Sequence, residues 1–301
     1  MRMKANCISC QLAQALILME RKRTPHHRQI EIIKELNRHF ETYDNDLGIA
    51  ACYSEFYSKM KELLNDPDPY KEEKRRQNEQ VAALMPAVRK CVEAAEDSLL
   101  AAIKVSVAGN IIDLTADKAY DIEEQIEKSL DLPLEVDDYS EFADALKHAE
   151  TMLFVADNAG EIVLDRLLIE QIHAFREEKG LLPISVVVVV RSTPILNDAM
   201  MEDAAFAEMD GVARVVGSGS AYFGLLLDKV SGEIQKLVRD SDIVLAKGQA
   251  NFESMIENGD LYGGKAYLLL MVKCRHVSER LNADMHGMAL VKAGPDKNRS
   301  I

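Results

Sequence analysis

The chain has 301 residues, and its 36 Lys and Arg against 50 Asp and Glu give a net charge of −14. This acidic balance argues against sequence-independent nucleic-acid binding and against docking on an anionic membrane, since both need clustered cations. No apolar run approaches the roughly 20 residues of a membrane-spanning helix, and no signal-peptide pattern opens the sequence. Because the five cysteines are few for this length, we expect a cytoplasmic globular protein rather than a secreted, disulfide-stapled one.

The first half of the chain, residues 1–148, has the periodicity of helices. Apolar residues recur three to four positions apart, as in the series Ile30, Ile33, Leu36 and Phe40. Loops are predicted near residues 65–70, 108–110 and 132–133, where Pro or Gly interrupts the pattern. We therefore predict an all-helical N-terminal domain.

The second half, residues 149–301, alternates short apolar strands with helices. The predicted strands are Met152–Val155, Ile184–Val190, Val212–Val216, Asp242–Ala246 and Tyr267–Val272, and the predicted helices are Glu161–Glu178 and Phe223–Val238. Such alternation predicts a Rossmann-like, three-layer α/β/α domain around a parallel sheet. Ligands of open α/β sheets bind beyond the carboxyl ends of the strands, so the residues that follow each strand are the first candidates for chemistry.

An oxygen-rich sequence, Asp157-Asn158-Ala159-Gly160-Glu161, follows the first of these strands. Carboxylate and amide oxygens are the ligands that Mg²⁺ and Mn²⁺ prefer. The helix that begins beside them favours an anion such as a phosphate. The alternative interpretation is an ordinary helix N-cap, for which Asp and Asn are common residues.

Two further loops add charges at the same predicted edge. Arg191 is suited to hold phosphate oxygens, and Asp198 could complete a metal site with Asp157 and Asn158. Lys247 ends a strand before a glycine and could present its ammonium group to a phosphate. Each loop taken alone could be a capped helix or a solvated lysine, but three such loops together are typical of phosphoryl transfer.

Cys7 and Cys10 form a C-x-x-C pair near the start of the chain. One pair cannot fill a tetrahedral zinc site, so Cys274 and His276 would have to complete it. A redox pair, or two thiols without a special role, are the alternatives.

The sequences 157–161, Asn197-Asp198 and 247–253, in this order, resemble the metal-dependent damage-control phosphatase family, an ARMT-like family formerly classed as a domain of unknown function. Further matches extend the resemblance to nearly the whole chain and to the short prokaryotic and archaeal branch of the family. They are Cys7-x-x-Cys10, Asp68-Pro69-Tyr70 with Lys74 and Asn78, residues 108–113, and Lys273-Cys274.

This resemblance implies a helical domain packed on an α/β domain, with the active site between them. It implies a divalent cation (Mn²⁺, Co²⁺, Ni²⁺ or Mg²⁺) held by Asp157, Asn158 and Asp198. Small phosphorylated metabolites, either sugar phosphates or damaged ones, would be the substrates. Phosphate-facing groups would be Lys247 and Asn251, with Glu161 and the Gly160 backbone nearby, and residues 68–78 and 109–113 would border the pocket.

The expected reaction is metal-assisted hydrolysis of a phosphate monoester, with Lys247 neutralising phosphate oxygens. The attacking group is either water, with Glu161 as the nearest base, or the Asp157 carboxylate. A metal- or metabolite-binding protein without turnover is the main alternative. A carboxyl methyltransferase, an activity described for some relatives, is a lesser one.

Overall fold

The computed structural model describes residues 1–43, 48–114 and 129–294. Its first half is helical. The helices are α1 Ala5–Arg21, α2 His26–Phe40, α3 Ile49–Leu64, α4 Lys71–Ala94 and α5 Ser98–Leu114. Apolar side chains of α1, α2 and α3 pack together as one cluster, with Met19, Leu36 and Met60 at its centre. This packing follows from the helical spacing of those residues.

The rest of the chain forms one sheet with helices between its strands. The strands are β1 Leu134–Asp137, β2 Thr151–Val155, β3 Ser185–Val190, β4 Arg214–Gly217, β5 Ile243–Lys247, β6 Ala266–Met271 and β7 Met288–Ala293. The helices are α6 Tyr139–His148, α7 Glu161–Glu178, α8 Met201–Phe206, α9 Gly232–Asp240, α10 Gln249–Met255 and α11 Arg275–Leu281, with short 3-10 helices at Met209–Gly211 and Ile256–Tyr262. The order across the sheet is β1-β7-β6-β5-β2-β3-β4. Neighbouring strands run parallel except for β6 and β7, which are antiparallel.

Helices cover both faces of the sheet, which explains the continuous apolar runs of its central strands. One apolar cluster joins α4, α5 and α7 to one face, and a second joins α9, α10 and α11 to the other. Every residue of β5 and of β6 is buried. No helix in the described part of the chain is both long and apolar enough to cross a membrane.

The predicted α/β fold is confirmed, with five predicted strands present as β2 to β6. Two strands were not predicted. The strand β1 precedes residue 149, so the first strand of the sheet lies in the half predicted to be helical, and β7 pairs with both β1 and β6. The domain boundary at 148/149 stays a prediction.

Two predicted local structures are wrong. The helix expected over Phe223–Val238 begins only at Gly232, because Ser231 caps it by accepting a hydrogen bond from the backbone N–H of Ile234, 3.3 Å away. Upstream, Gly224 has a φ of +69°, which is incompatible with a continuous α-helix. The loop expected near residues 108–110 is instead part of α5, which continues to Leu114.

The sheet has a topological switch point between β2 and β5, where successive strands are added on opposite sides of β2. The chain passes from β2 to β3 and β4 on one side and then returns to β5 on the other side of β2. In open α/β sheets, such a switch point opens a crevice at the carboxyl ends of the strands. The loops that follow β2, β3 and β5 meet there.

Candidate active site at the strand ends

The loops after β2 and β3 are joined by backbone hydrogen bonds. The N–H of Ala159 donates to the Asn197 oxygen and that of Ala199 donates to the Asp157 oxygen, each at 2.8 Å. Asn158 and Asp198 consequently form an isolated β-bridge. The structure thus brings together the three residues that were predicted to hold a cation.

Asp157 is buried in an acidic environment. Its carboxylate accepts a hydrogen bond from Asn158 Nδ2 at 2.8 Å. Burial raises its pKa well above the ordinary value, and the charges of Glu161 and Asp198 raise it further, against the opposing effect of Lys273 and Lys247. A cation bound to the Asp157 carboxylate would compensate the repulsion from the neighbouring carboxylates, so this environment favours cation binding.

Asp198 is held by a buried ion pair. Arg191 Nε donates to its Oδ2 at 2.7 Å, and Arg191 Nη1 donates to the Gly224 oxygen at 2.7 Å. Burial raises the pKa of Asp198 in spite of this pair. Arg191 was predicted to bind phosphate, but its Nε and Nη1 both bond to the protein. Its Nη2 has no hydrogen-bond partner, so the prediction for Arg191 now depends on that one nitrogen.

Lys247 is fully buried and has three acceptors within the protein. Its Nζ donates to the Ser106 oxygen at 2.9 Å, to Asp165 Oδ1 at 2.7 Å and to Glu161 Oε1. Burial opposes its charge, but Asp165 and Glu161 more than offset this and raise its pKa. An ammonium group has three N–H donors, and all are used here. The arrangement therefore favours a role in holding Glu161, and phosphate binding by Lys247 stays a prediction.

Asp165 was not predicted as part of the site. It lies one helical turn after Glu161 on α7, and burial raises its pKa to about 7 although the charge of Lys247 lowers it. The i, i+4 spacing of two acidic residues at the start of a predicted helix was the only signal in the sequence. Identifying their shared partner required the position of Lys247, 82 residues further along the chain.

The other predicted phosphate-facing groups are also engaged by the protein. The N–H of Gly160 donates to Asn78 Oδ1 at 2.6 Å. Asn251 Nδ2 donates to the Lys247 oxygen at 2.7 Å, whereas its buried Oδ1 has no hydrogen-bond partner. Phosphate contact by Gly160 and by Asn251 therefore also stays a prediction.

Lys273 is an exposed lysine whose charge acts on the acidic edge. It follows β6, and its charge lowers the pKa of both Asp157 and Asp198. The N–H of Lys273 donates to Gln249 Oε1 at 3.2 Å, which ties this loop to α10. From the sequence, Lys273 was noted only as part of the family resemblance. Its place at this edge depends on the position of β6 beside β5, which the sequence alone did not predict.

The residues at this edge fit a divalent cation. Asp157, Asn158 and Asp198 supply oxygen donors of the kind that Mg²⁺ and Mn²⁺ prefer. In the immediate surroundings, the buried carboxylates of Asp157, Glu161, Asp165 and Asp198 share the buried cations Arg191, Lys247 and Lys74. A divalent ion would offset the repulsion that Glu161 and Asp198 exert on Asp157.

Gly248 marks how tightly this edge is packed. It has a φ of +83°, and a Cβ atom at this position would lie 1.9 Å from Asp157 Oδ2. The absence of a side chain at position 248 is therefore what leaves room for the Asp157 carboxylate.

The helical half of the protein reaches the same edge through residues 68–78. Lys74 pairs with Asp68 at 3.0 Å, and Asn78 contacts Gly160. An aromatic cavity adjoins the loop that carries Asp198; it is lined by Tyr53, Tyr57, Tyr70, Leu196 and Phe223, among others. The side chains of residues 109–113 lie outside the described part of the structure.

Two of the cysteines predicted as a second site, Cys7 and Cys274, belong to the same apolar cluster on one face of the sheet. Cys7 is buried and Cys10 is exposed on α1, and Cys274 accepts a hydrogen bond from Gln249 Nε2 at 3.5 Å. Burial raises the pKa of Cys7 and of Cys274. Among the described residues, no group of three or more His, Cys, Asp or Glu side chains has the arrangement of a metal site, and a second site at these cysteines stays a prediction.

Comparison with known proteins places the chain in a family. The family profile described as the damage-control phosphatase ARMT1-like domain matches residues 3–288. A damage-control phosphatase of Pyrococcus horikoshii is 27% identical over 283 residues, covering 93% of this chain and 94% of its own. One of Archaeoglobus fulgidus is 29% identical over 253 residues, covering 82% and 84%. A protein of Methanocaldococcus jannaschii described as uncharacterized is 29% identical over 297 residues, covering 97% and 95%.

The fold agrees with this comparison. The crystal structure of a DUF89 family protein from Pyrococcus horikoshii matches with a TM-score of 0.86 at 25% identity, covering 98% of this chain and 100% of that one. The fold and the acidic edge define a mostly parallel α/β protein with an oxygen-rich site at the switch point of its sheet. The chain belongs to the ARMT1-like damage-control phosphatase family, as its sequence motifs indicated. Homologues that carry the phosphatase name support a phosphatase-type function.

Proposed function

We propose that the chain is a metal-dependent phosphatase that hydrolyses small phosphate monoesters, either sugar phosphates or damaged phosphorylated metabolites. The observation that carries this proposal is the pairing of buried Asp157 and Asp198 on two hydrogen-bonded loops, with the charge of Lys273 at the same edge. Membership in a family whose members are named phosphatases supports it.

Asp157, Asn158 and Asp198 would hold the divalent cation. When bound, such a cation supplies charge neutralisation at a phosphate oxygen and withdraws electron density from phosphorus. Arg191 keeps Asp198 at its position through the buried ion pair, and Asn158 donates to Asp157. The chain therefore orients each carboxylate before any substrate is present, which is the preorganisation that electrostatic catalysis needs.

Lys273 would neutralise further phosphate oxygens from the exposed rim. In the hydrolysis, the bond between phosphorus and the ester oxygen breaks, a new phosphorus–oxygen bond forms, and the leaving oxygen takes up a proton. The attacking group is either water or the Asp157 carboxylate. If water attacks, Glu161 is the nearest proton acceptor, and the hydrogen bond from Lys247 to Glu161 Oε1 fixes its orientation.

The first experiment measures phosphate release from para-nitrophenyl phosphate by chelator-stripped protein with Mn²⁺, Co²⁺, Ni²⁺ or Mg²⁺ added singly. We expect release only with added cation, and loss of both release and calorimetric cation binding in D157A. The control is D144A, which removes an exposed carboxylate from α6. Absence of hydrolysis with every cation, while D157A still abolishes cation binding, would support a binding protein without turnover.

A second experiment tests Lys273. We expect K273A to lower kcat/KM by about 10²- to 10³-fold, the usual effect of removing one group that stabilises a developing anion, while cation binding is retained. R275A is the matched control, since Arg275 is an exposed cation two residues further on that pairs with Glu279. Equal activity of K273A and R275A would remove Lys273 from the proposed site.

A further inference from the structure

One buried polar face of α4 contacts the loops of the candidate site. Lys74, Gln77 and Asn78 lie three to four residues apart, so they share one side of the helix. All three are buried. Lys74 Nζ lies 3.0 Å from Asp68 and 3.3 Å from the Met200 sulfur. Burying polar side chains costs free energy unless their hydrogen bonds are made, so the hydrogen-bond partners of these side chains indicate what the buried polar face stabilises.

Asn78 connects two separate parts of the site. Its Oδ1 accepts from the N–H of Gly160 at 2.6 Å, and its Nδ2 donates to Asp203 Oδ1 at 2.7 Å. The other carboxylate oxygen of Asp203 accepts from the N–H of Met200 at 2.8 Å. Since a backbone N–H can only donate, the orientation of the Asn78 amide is fixed.

The two partners of Asn78 belong to the two loops of the proposed cation site. Gly160 ends the loop after β2, two residues beyond Asn158. Asp203 lies in the first turn of α8, directly after the segment that carries Asp198. Backbone hydrogen bonds join these loops near their centres, and Asn78 adds a third connection from outside the sheet.

Local geometry shows that α4 lies tightly against the first loop. Gly160 has a φ of +75°, and a Cβ atom there would lie 3.1 Å from the Cβ of Gln77. The chain turns at Gly160 to begin α7, which carries Glu161 and Asp165. A shift of Gly160 would therefore move both the cation loop and the acidic residues behind it.

We propose that Asn78 is a positioning residue that fixes the distance between the two cation-binding loops, so that cation affinity depends on α4. This inference rests on the cation site of the proposed function. Asn78 acts through Gly160 and Asp203, which orient the loops that hold Asp157, Asn158 and Asp198. Partners of this kind, one step away from the ligands, typically change metal affinity about 10- to 100-fold when removed.

The test is calorimetric titration of Mn²⁺ into the chelator-stripped, full-length chain. We expect N78A and N78D to weaken Mn²⁺ binding about tenfold or more, since N78D places a second carboxylate against Asp203. The N78D/D203N pair restores the pattern of hydrogen bonds. Its carboxylate at position 78 accepts from Gly160 and from the new amide at 203, and that amide accepts from the Met200 N–H. We expect the double variant N78D/D203N to recover most of the Mn²⁺ affinity that N78D loses.

S241A is the matched control for a general loss of stability. Ser241 is buried at the end of α9, and its Oγ donates to the Leu237 oxygen at 2.7 Å. It precedes β5 at the end of that strand opposite Lys247, away from the proposed cation ligands. We expect S241A to lower the unfolding temperature while its affinity for Mn²⁺ stays at the wild-type value.

The outcomes separate this inference from the proposed function. If the wild-type chain binds no Mn²⁺, the proposed cation site is refuted, and this inference with it. If it binds Mn²⁺ but N78A binds equally well, or N78A and S241A lose affinity together, only the role of Asn78 is refuted. Should N78A fail to fold, the comparison of N78D with N78D/D203N decides, and failure of the pair to recover affinity refutes the inference.

Discussion

Glu253 gives a prediction in which both the sign and the size follow from the structure. It lies on α10, is buried, and accepts a hydrogen bond from Gln249 Nε2 at 2.9 Å. Burial raises its pKa from an ordinary 4.5 to about 7, although the Gln249 hydrogen bond and the amino group of Met1 oppose this. The change to test is E253Q, which keeps an acceptor for Gln249 and removes the ionisable group.

The sign follows from proton linkage. The folded state binds the Glu253 proton more tightly than the unfolded state does, so the raised pKa does not lower the free energy of unfolding below pH 4.5. The free energy of unfolding then falls progressively as the pH rises to about 7. The full penalty above pH 7 is about 3 kcal/mol, since one pKa unit corresponds to about 1.4 kcal/mol. The variant is free of this penalty. We therefore expect its stability relative to wild type to be about 2–3 kcal/mol more favourable at pH 8 than at pH 5.

The assay is urea unfolding of both proteins at pH 5 and pH 8, without added metal. Burial also raises the pKa of Asp157, Asp165 and Asp198, so other groups also make the stability of both proteins depend on pH, and only the difference between the proteins reports on Glu253. E41Q, at the exposed end of α2, should show no such difference. A difference between E253Q and wild type that is equal at the two pH values would refute the argument.

Two further variants test the packing and the charges of the strand-end site. We expect G248A to abolish Mn²⁺ binding in calorimetry, because its Cβ would overlap the Asp157 carboxylate; G263A has a similar positive φ but open space around it and should bind normally. We expect K247A to lower the free energy of unfolding by about 3–5 kcal/mol, since it leaves Glu161 with a buried, unpaired charge. Unchanged stability in urea, together with lost turnover, would instead favour direct phosphate contact by Lys247.

Much of the fold could be predicted because the central strands are buried on both faces. The run Ser185–Val190 contains five consecutive valines, and such a pattern has few alternatives to a buried parallel strand. The strand β1 was missed because it has only four residues and includes Glu135 and Asp137. Its pairing with β7 depends on residues about 150 positions further along the chain, which local periodicity does not report.

The proximity of Asp157 and Asp198 could be predicted, whereas the partners of the nearby charges could not. The two carboxylates were expected to be neighbours because the carboxyl ends of parallel strands meet at one edge. The partners of Lys247 come from α5 and α7, 141 and 86 residues away for Ser106 and Glu161. No spacing rule in the sequence distinguishes a lysine that points at a substrate from one that points into the core.

The burial of Lys247 and Arg191 explains how this edge can be acidic and still well ordered. Each of these cations bonds to a carboxylate that lies behind or within the site and also to a backbone oxygen. They use their charge to hold the acidic loops, so little of it remains for a substrate. Under the proposed function, the positive charge that a phosphate needs would come from Lys273 at the exposed side and from a cation held by the loops. We therefore expect the chain to bind an anionic substrate only when the cation is present.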